Sequence, residues 1–383
     1  MILKKRHILF YKIFLPLTTA FAKIRFGYKF KAAENLPENY LVISNHATDY
    51  DMLFVGASFK RQMYFVASEH IARWGIFSKL LMYAFAPIMR HKGASALSTV
   101  MDIIKKTKKG CNVCLFAEGV RTWDGVTNPI ERSTADLVKR AGCGLVTYKI
   151  TGGYFASPMW AGANVRRGPV SGAPVSILTK EEIKSMSSDE IYDLIVRDIY
   201  ENAYERQLSS PAEYKGKNLA EGLERMLFIC PECSARDSFT THKNTVECKT
   251  CSHSFTYDTY GMLNGTRFRT LKEFSDFQNE IISEDIKKGE TYSLDNVSLY
   301  SVNEHASSLV LTGTLSVSGE VLKCGEKVFN IAEISNMAMH GQKAIVFSRG
   351  REYYEIIVPD KTCALKFLLY FRECKKNLET VKV

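Results

Sequence analysis

A histidine and an aspartate, separated by four residues, follow a short apolar run. Tyr40–Ser44 is apolar and partly β-branched, which predicts a buried strand, and Asn45 and His46 come where that strand ends. One turn over residues 47–50 brings the Asp51 carboxylate against the His46 imidazole. A carboxylate on one ring nitrogen fixes the tautomer and makes the other nitrogen a better base for a hydroxyl proton. A surface histidine beside a turn aspartate has the same spacing, so this pair alone leaves both interpretations open.

A second polar cluster follows another strand-like run. Asn112–Phe116 predicts a strand, and Glu118, Gly119 and Arg121 come just after it. Gly119 allows a tight turn, after which Arg121 is suited to clamp a phosphate and Glu118 to orient it or to accept a hydroxyl proton. A solvated ion pair is the alternative for a glutamate and an arginine in a turn.

A third run, Phe85–Met89, ends at Arg90. Open α/β sheets bind ligands at the carboxyl ends of their strands. The three strand ends together therefore predict a base that activates a hydroxyl group beside an arginine-lined anion site.

The elements that position these residues alternate between short apolar runs and amphipathic stretches. This pattern predicts an α/β domain with a mixed central sheet flanked by helices. The strands are expected at 40–44, 61–67, 85–89, 112–116 and 145–150, and the helices at 52–59, 71–83 and 94–109. Two capping boxes, Thr179 with Glu182 and Ser187 with Glu190, start further helices, the second of which closes the domain.

In their order and spacing, the three motifs resemble the signatures of the 1-acylglycerol-3-phosphate acyltransferase family. Asn45-His46-x4-Asp51 resembles the first signature, Phe85–Arg90 the second and Phe116–Thr122 the third. The resemblance covers about residues 10–205. It implies that His46 deprotonates the free hydroxyl of a lysophospholipid, which then attacks an acyl thioester, while Asp51 holds His46.

The resemblance also implies a set of substrate-binding residues and a donor. The residues that it assigns to substrate binding are Asn45, Arg90, Glu118, Gly119 and Arg121. The donor is acyl-CoA or an acyl-carrier protein, and neither a covalent acyl-enzyme nor a catalytic cofactor is expected. Two departures bear on the acceptor headgroup, because Ala117 and the run Val146–Tyr148 stand where the third and fourth signatures usually have proline.

The charge of the chain predicts an anionic partner. With 383 residues, 46% hydrophobic and 24% charged, the chain is globular with two or three domains. A net charge of +10 fits phospholipid headgroups, a phosphorylated substrate or nucleic acid, and does not choose between them.

The N-terminal segment is basic and apolar. Residues 1–33 contain eight Lys and Arg and no Asp or Glu. We expect residues 1–30 to lie as a basic amphipathic segment on an anionic membrane, which makes the protein peripheral or monotopic on the cytoplasmic face. A cleaved signal peptide and a spanning helix are the alternatives, although Lys12 interrupts the apolar run and the run is short for a span.

Four of the ten cysteines form two Cys-x2-Cys pairs separated by fourteen residues: Cys230, Cys233, Cys248 and Cys251. This spacing predicts a zinc ribbon with a structural Zn²⁺, and a rubredoxin-like iron site is the alternative for the same ligands. Ribbons often bind nucleic acid or protein, but the few positive charges here are thin evidence for a nucleic-acid partner. The scattered positions of the other six cysteines indicate a reducing compartment.

The last third changes to short strands separated by turns. After a helix at 271–287, strands are expected at 308–315, 321–322, 327–331, 344–348 and 353–358, followed by a helix at 363–374. This order resembles a pleckstrin-homology (PH) or GRAM-type barrel, with an inert β-sandwich as the alternative.

The expected organisation is a membrane segment (1–30), an acyltransferase domain (31–208), a linker (209–225), a zinc ribbon (226–258), a helical connector (259–290) and a PH-like β domain (291–383).

The expected function is a peripheral acyltransferase that makes phosphatidic acid or a related phospholipid. A different acceptor would keep the same chemistry. The alternative from another class is a lipid-binding adaptor at the membrane that is inactive or does not acylate phospholipids. The intact His46, Asp51, Glu118 and Arg121 argue against that alternative.

Overall fold

The computed structural model describes residues 5–68, 76–90, 97–302 and 307–380. Two compact units are present. The first includes most of the chain up to Gly216, and the second includes the chain from Lys217 onward.

The first unit is an α/β domain. Its helices are α1 (Lys5–Phe26), α2 (Asp51–Ser58), α3 (Ile76–Ala84), α4 (Leu97–Thr107), α5 (Ser133–Ala141), α6 (Gly153–Ala156), α7 (Lys180–Ser185), α8 (Ser188–Ile199) and α9 (Ala203–Ser209). Its strands are β1 (Lys29–Phe30), β2 (Tyr40–Ser44), β3 (Met63–Ser68), β4 (Ile88–Arg90), β5 (Asn112–Phe116), β6 (Gly144–Thr151) and β7 (Ser171–Leu178).

These strands form one sheet in the order β1-β7-β6-β2-β5-β3-β4. Strands β6, β2, β5, β3 and β4 are parallel, whereas β7 is antiparallel to β6. The predicted mixed sheet is therefore confirmed. Strand β2 is buried along its whole length because it lies between β5 and β6, and its last residue, Ser44, is in register with Phe116 and Tyr148. The carboxyl ends of these three strands thus meet at one edge of the sheet.

The second motif differs from the expected strand at 85–89. The strand is Ile88–Arg90, because the Phe85 N–H still bonds the Leu81 carbonyl at the end of α3 and Ala86 has a φ of 42°. Pro87 has no N–H to donate to a sheet. Of the helices expected at 71–83 and 94–109, residues 71–75 and 94–96 lie outside the described part of the chain, and the remainder corresponds to α3 and α4.

Helix α1 packs on the domain along one side only. Tyr11 Oη donates to the Gly56 and Phe59 carbonyls, and His7 Nδ1 lies 2.9 Å from Tyr64 Oη. The opposite side exposes apolar side chains: Leu9, Ile13, Phe14, Leu17, Phe21 and Ile24. By length and composition alone, this helix of 22 residues is sufficient to cross a membrane. The sequence analysis found the apolar run short for a span, but the length of the helix does not exclude one.

The second unit begins with a small antiparallel sheet and a long helix. The four strands are β8 (Phe239–His242), β9 (Thr245–Cys248), β10 (Ser254–Tyr257) and β11 (Leu263–Asn264), and the helix is α10 (Leu271–Lys288). A capping box of Thr270 and Glu273 starts α10, and Gly289 ends it in a left-handed conformation.

A seven-stranded antiparallel sheet and a closing helix complete the second unit. The elements are β12 (Tyr292–Val302), β13 (Ser307–Ser318), β14 (Val321–Cys324), β15 (Lys327–Asn330), β16 (Ile334–His340), β17 (Ala344–Arg349), β18 (Glu352–Ile357) and α11 (Leu365–Thr380). The strand order is β15-β14-β13-β12-β18-β17-β16. This arrangement is compatible with the expected PH or GRAM-type barrel, whose identity remains a prediction.

Candidate active site and metal site

The structure brings His46 and Asp51 into direct contact. His46 follows β2 by two residues, and Asp51 is the first residue of α2, so the intervening turn folds the carboxylate back onto the ring. His46 Nδ1 lies 2.8 Å from Asp51 Oδ2. Because an ionised carboxylate only accepts hydrogen bonds, Nδ1 carries the proton and Nε2 is left as the basic nitrogen.

Asp51 is fully buried and held by further donors. Its Oδ2 accepts from the backbone N–H groups of Ala47 (2.7 Å) and Thr48 (3.0 Å), and its Oδ1 accepts from the Thr48 hydroxyl (2.7 Å). The positive end of α2 also favours a negative charge at this position. The carboxylate is thereby fixed in the orientation that His46 requires.

The imidazole of His46 has one supported face and one accessible side. It stacks on the Phe116 ring, with centroids 4.7 Å apart and an angle of 21° between the planes. The His46 side chain is 23% exposed. In the part of the chain that the structure describes, no side chain hydrogen-bonds Nε2, so this nitrogen is available to a substrate hydroxyl.

The third motif holds the His46 backbone from both sides. The His46 N–H donates to Glu118 Oε1 (2.6 Å), and the His46 carbonyl accepts from the Thr122 N–H (3.2 Å). The other oxygen of Glu118 accepts from the N–H (2.6 Å) and the Nδ2 (2.9 Å) of Asn128. Both oxygens of Glu118 thus accept hydrogen bonds from the protein, and its expected contact with substrate stays a prediction.

Burial raises the pKa of Glu118 to about 7, although the hydrogen bonds from Asn128 and His46 act in the opposite direction. The carboxylate is thus retained at a cost in folding free energy. The three N–H bonds that the carboxylate accepts offset part of that cost.

Arg121 is also engaged by protein atoms. Its guanidinium donates to Asp49 Oδ2 (2.7 Å), the Ser157 carbonyl (2.5 Å) and the Ala47 carbonyl (3.3 Å), and the residue is buried. These contacts brace the turn between His46 and Asp51, and the expected clamp on a phosphate stays a prediction.

Asn45 closes the end of β2 onto β6. Its side-chain amide donates to the Ile150 carbonyl and accepts from the Ile150 N–H, both at 2.8 Å. The amide thus joins the two strands within the sheet, and the expected substrate contact of Asn45 stays a prediction.

Arg90 and Gly119 lie against each other. Gly119 has a φ of 69°, and a Cβ at this position would collide with the Arg90 guanidinium. Glycine therefore satisfies both the left-handed turn and the close approach of the arginine. Arg90, the last residue of β4 and half-buried, is the arginine of the second motif at this edge of the sheet.

Three supporting residues were not predicted from the sequence: Thr48, Asp49 and Asn128. Thr48 has a local signal, because a threonine hydroxyl in a turn commonly hydrogen-bonds to groups two or three residues away. Asp49 lacks a sequence signal because its partner, Arg121, is distant in sequence. Asn128 lacks one because its contact with Glu118 depends on how the chain turns between them.

The four cysteines of the second unit converge. Their Sγ atoms all lie within 4.8 Å of one another, with Cys230–Cys251 at 3.7 Å and Cys233–Cys248 at 3.8 Å. Zinc–sulfur bonds of about 2.3 Å in a tetrahedron place the sulfurs about 3.8 Å apart. The donor set and its spacing therefore fit a tetrahedral metal ion.

The comparison with protein families agrees with the motifs. Residues 27–151 match the family model described as Acyltransferase. The chain is also similar to the crystal structure of the 1-acyl-sn-glycerophosphate (LPA) acyltransferase PlsC from Thermotoga maritima, at 18% sequence identity and a TM-score of 0.39. The match covers 49% of this chain and 80% of the PlsC chain. None of the curated proteins matches the chain. The family match confirms the predicted resemblance, and residues 27–151 are the part of the chain that is similar to the Acyltransferase family.

Proposed function

We propose that this acyltransferase domain transfers a fatty acyl group from an acyl thioester to the free hydroxyl of 1-acylglycerol-3-phosphate or a related lysophospholipid, giving phosphatidic acid or its analogue. The observation that carries the proposal is the His46–Asp51 pair, with Nδ1 bound by a buried carboxylate and Nε2 on the accessible side.

The chemistry follows from that geometry. His46 Nε2 takes the hydroxyl proton as the oxygen attacks the thioester carbonyl, and Asp51 stabilises the imidazolium that forms. When the tetrahedral intermediate collapses, the carbon–sulfur bond breaks and the imidazolium returns its proton to the thiolate. An ester and a free thiol are the products.

The remaining motif residues act through position. Glu118, Arg121 and Asn45 fix the backbone that carries His46, and such alignment of reacting groups is worth several kcal/mol of the barrier. Arg90 is the residue that we assign to the acceptor phosphate. Its support is its place beside Gly119, at the sheet edge where His46 also lies.

An apolar cavity of about 300 Å³ is suited to the acyl chain. It is lined mainly by aromatic and aliphatic side chains of α1, α2, α3 and β3, including Phe14, Leu53, Phe65 and Leu81. Met52, which follows Asp51 in α2, also lines the cavity.

The protein binds the cytoplasmic face of a membrane through α1. The exposed apolar side of α1 is accompanied by exposed Lys5, Lys12 and Lys23, which complement anionic headgroups. A helix that crossed the bilayer would lose the hydrogen bonds of Tyr11 to the domain, so the monotopic arrangement is favoured over a span.

The four cysteines would hold a structural Zn²⁺. Four thiolates leave no open position for a substrate, so the metal would serve as a cross-link between the two Cys-x2-Cys turns. The metal is independent of the proposed acyl transfer.

The test is acyl transfer by the full-length protein in mixed micelles. Labelled acyl-CoA and acyl-carrier protein are each offered with lysophosphatidic acid and with lysophospholipids of other headgroups, and the product is identified by mass. We expect phosphatidic acid with at least one donor. Binding of lysophospholipid by folded protein without product from any pair would contradict the proposal and favour the adaptor.

A further inference from the structure

The first Cys-x2-Cys turn continues directly into two charged residues that bind other parts of the second unit. The turn is defined by local backbone bonds, Ser234 N–H to the Cys230 carbonyl and Cys230 N–H to the Ala235 carbonyl, with Ser234 in a left-handed conformation. Arg236 and Asp237 come next. A turn this small has little apolar burial of its own, so a metal ion would supply most of its stability.

Arg236 binds α10 and β12. Its Nη2 lies 2.8 Å from Asp285 Oδ2, and its guanidinium lies over the Tyr292 ring, 4.3 Å from the centroid. Tyr292 Oη donates to the same Asp285 oxygen at 2.7 Å. Asp285 and Tyr292 are both buried, so this cluster has little access to water that could replace Arg236.

Asp237 binds α11. Its carboxylate pairs with the ammonium of Lys366, in the first turn of that helix. The Lys366 side chain is only 1% exposed. An ammonium buried to this extent is costly unless its counter-ion stays in place, because removal of one partner leaves an uncompensated charge.

The chain that leads into the turn is held by α10 as well. Gln278 Oε1 accepts from the Phe228 N–H (2.7 Å) and the Ile229 N–H (3.2 Å), and its amide donates to the Met226 carbonyl (3.2 Å). Gln278 is 1% exposed. Residues on both sides of Cys230 are therefore bound to elements outside the small sheet of β8–β11.

We propose that metal binding by the four cysteines latches the C-terminal β domain, defined as β12–β18 with α11. The proposal rests on the metal site assigned above. With the metal bound, the first turn presents Arg236 to Asp285 and Asp237 to Lys366. Without it, the turn loosens, the two buried charges lose their partners, and α11 and β12 separate from the ribbon.

The experiment is hydrogen–deuterium exchange on the full-length protein, purified with Zn²⁺ and then stripped with a chelator. We expect exchange in α11 and in the first half of β12 to become at least about tenfold faster after stripping and to recover when Zn²⁺ is added back. Exchange that changes only within residues 228–257 would overturn the latch while leaving the metal site intact.

A variant separates the latch from the metal. This double variant carries Arg236→Met and Asp237→Asn. Asparagine tolerates the left-handed φ of 52° at position 237, so the turn keeps its shape. We expect one Zn²⁺ per chain to remain while α11 and β12 exchange faster. The matched control is Asp276→Asn, which breaks an exposed pair with Lys272 on α10 and should change neither.

Two results contradict the proposal at different levels. A variant that keeps both its zinc and the exchange of the wild type would overturn the latch alone. A full-length protein that contains no metal and takes up no Zn²⁺ would remove the metal site itself, and with it the premise.

Discussion

Replacement of Glu118 by glutamine distinguishes a positioning residue from a substrate-binding one. Glutamine supplies one carbonyl oxygen, so one of the two backbone donors, from His46 or Asn128, loses its acceptor and faces an amide N–H instead. A hydrogen bond to a charged group contributes about 1.5–3 kcal/mol. The variant loses roughly that amount at this one contact.

The lost bond is offset at neutral pH by removal of a buried charge. Because the pKa of Glu118 is raised from 4.5 to about 7, ionising it in the folded protein costs roughly 3 kcal/mol. The two terms have similar size and opposite sign, so the free energy of unfolding at pH 7 should stay within about 2 kcal/mol of the wild type.

The same pKa gives the sign of a pH dependence. A carboxyl group with a raised folded-state pKa contributes stability that is complete below its unfolded pKa and is lost as the pH rises through about 7. Urea unfolding between pH 5 and pH 8 should therefore show the wild type losing stability relative to Glu118→Gln with rising pH. Parallel curves would contradict the burial argument.

The kinetic effect should fall on turnover. A base displaced by about 1 Å loses about 10²-fold in rate, so we expect kcat to fall about 10- to 100-fold while KM for the acceptor changes less than about twofold. Initial rates in mixed micelles at varied lysophosphatidic acid give both constants. The control is Glu131→Gln, an exposed glutamate of the same unit. A raised KM with unchanged kcat would refute the positioning role and restore the substrate contact.

Three further predictions follow from the contacts. Arg121→Lys should lower the free energy of unfolding of the first unit by about 1–3 kcal/mol, because lysine cannot donate to Asp49, Ser157 and Ala47 together. Asp49→Asn, at an exposed ion pair, should change it by less than about 1 kcal/mol. Equal effects of the two variants in urea titrations would contradict the bracing role of Arg121. Asp51→Asn should reduce the rate of acyl transfer about 10²- to 10⁴-fold, since the amide keeps the shape of the side chain but not its charge. Circular dichroism should show that the variant stays folded. Near-normal activity would contradict the proposed role of Asp51 in orienting His46. Leu17→Asp should weaken binding to anionic vesicles, measured by co-sedimentation, about tenfold or more without loss of folding. Leu208→Asp, at another exposed leucine, should leave this binding unchanged. Equal binding by both variants would argue against α1 as the membrane contact.

The sequence predicted which motif residues lie together more fully than it predicted the atoms that bind them. His46 and Asp51 are close in sequence and joined by one turn, so local rules placed both correctly. The roles of Glu118 and Asn45 depend on which atoms surround them. Their partners, Asn128 and Ile150, come from distant parts of the chain that no local pattern connects.

The elements that were missed lack the usual signals. Strand β7, Ser171–Leu178, contains small residues and a proline and has few buried side chains, so it forms by pairing with β6 and β1 and not from its own pattern. In β16 a bulge between Ile334 and Asn336 interrupts the alternation by which a strand is recognised. By contrast, α10 has a capping box and a C-terminal glycine, and it was predicted to within one residue.

The most direct test of the central claim compares two histidine variants in the same acyl-transfer assay. His46→Ala removes the proposed base, and His242→Ala removes an exposed histidine of the second unit. We expect His46→Ala to lower the rate about 10²- to 10⁴-fold and His242→Ala to leave it unchanged. Folded His46→Ala protein that transfers acyl groups within about tenfold of the wild-type rate would show that His46 is not the general base.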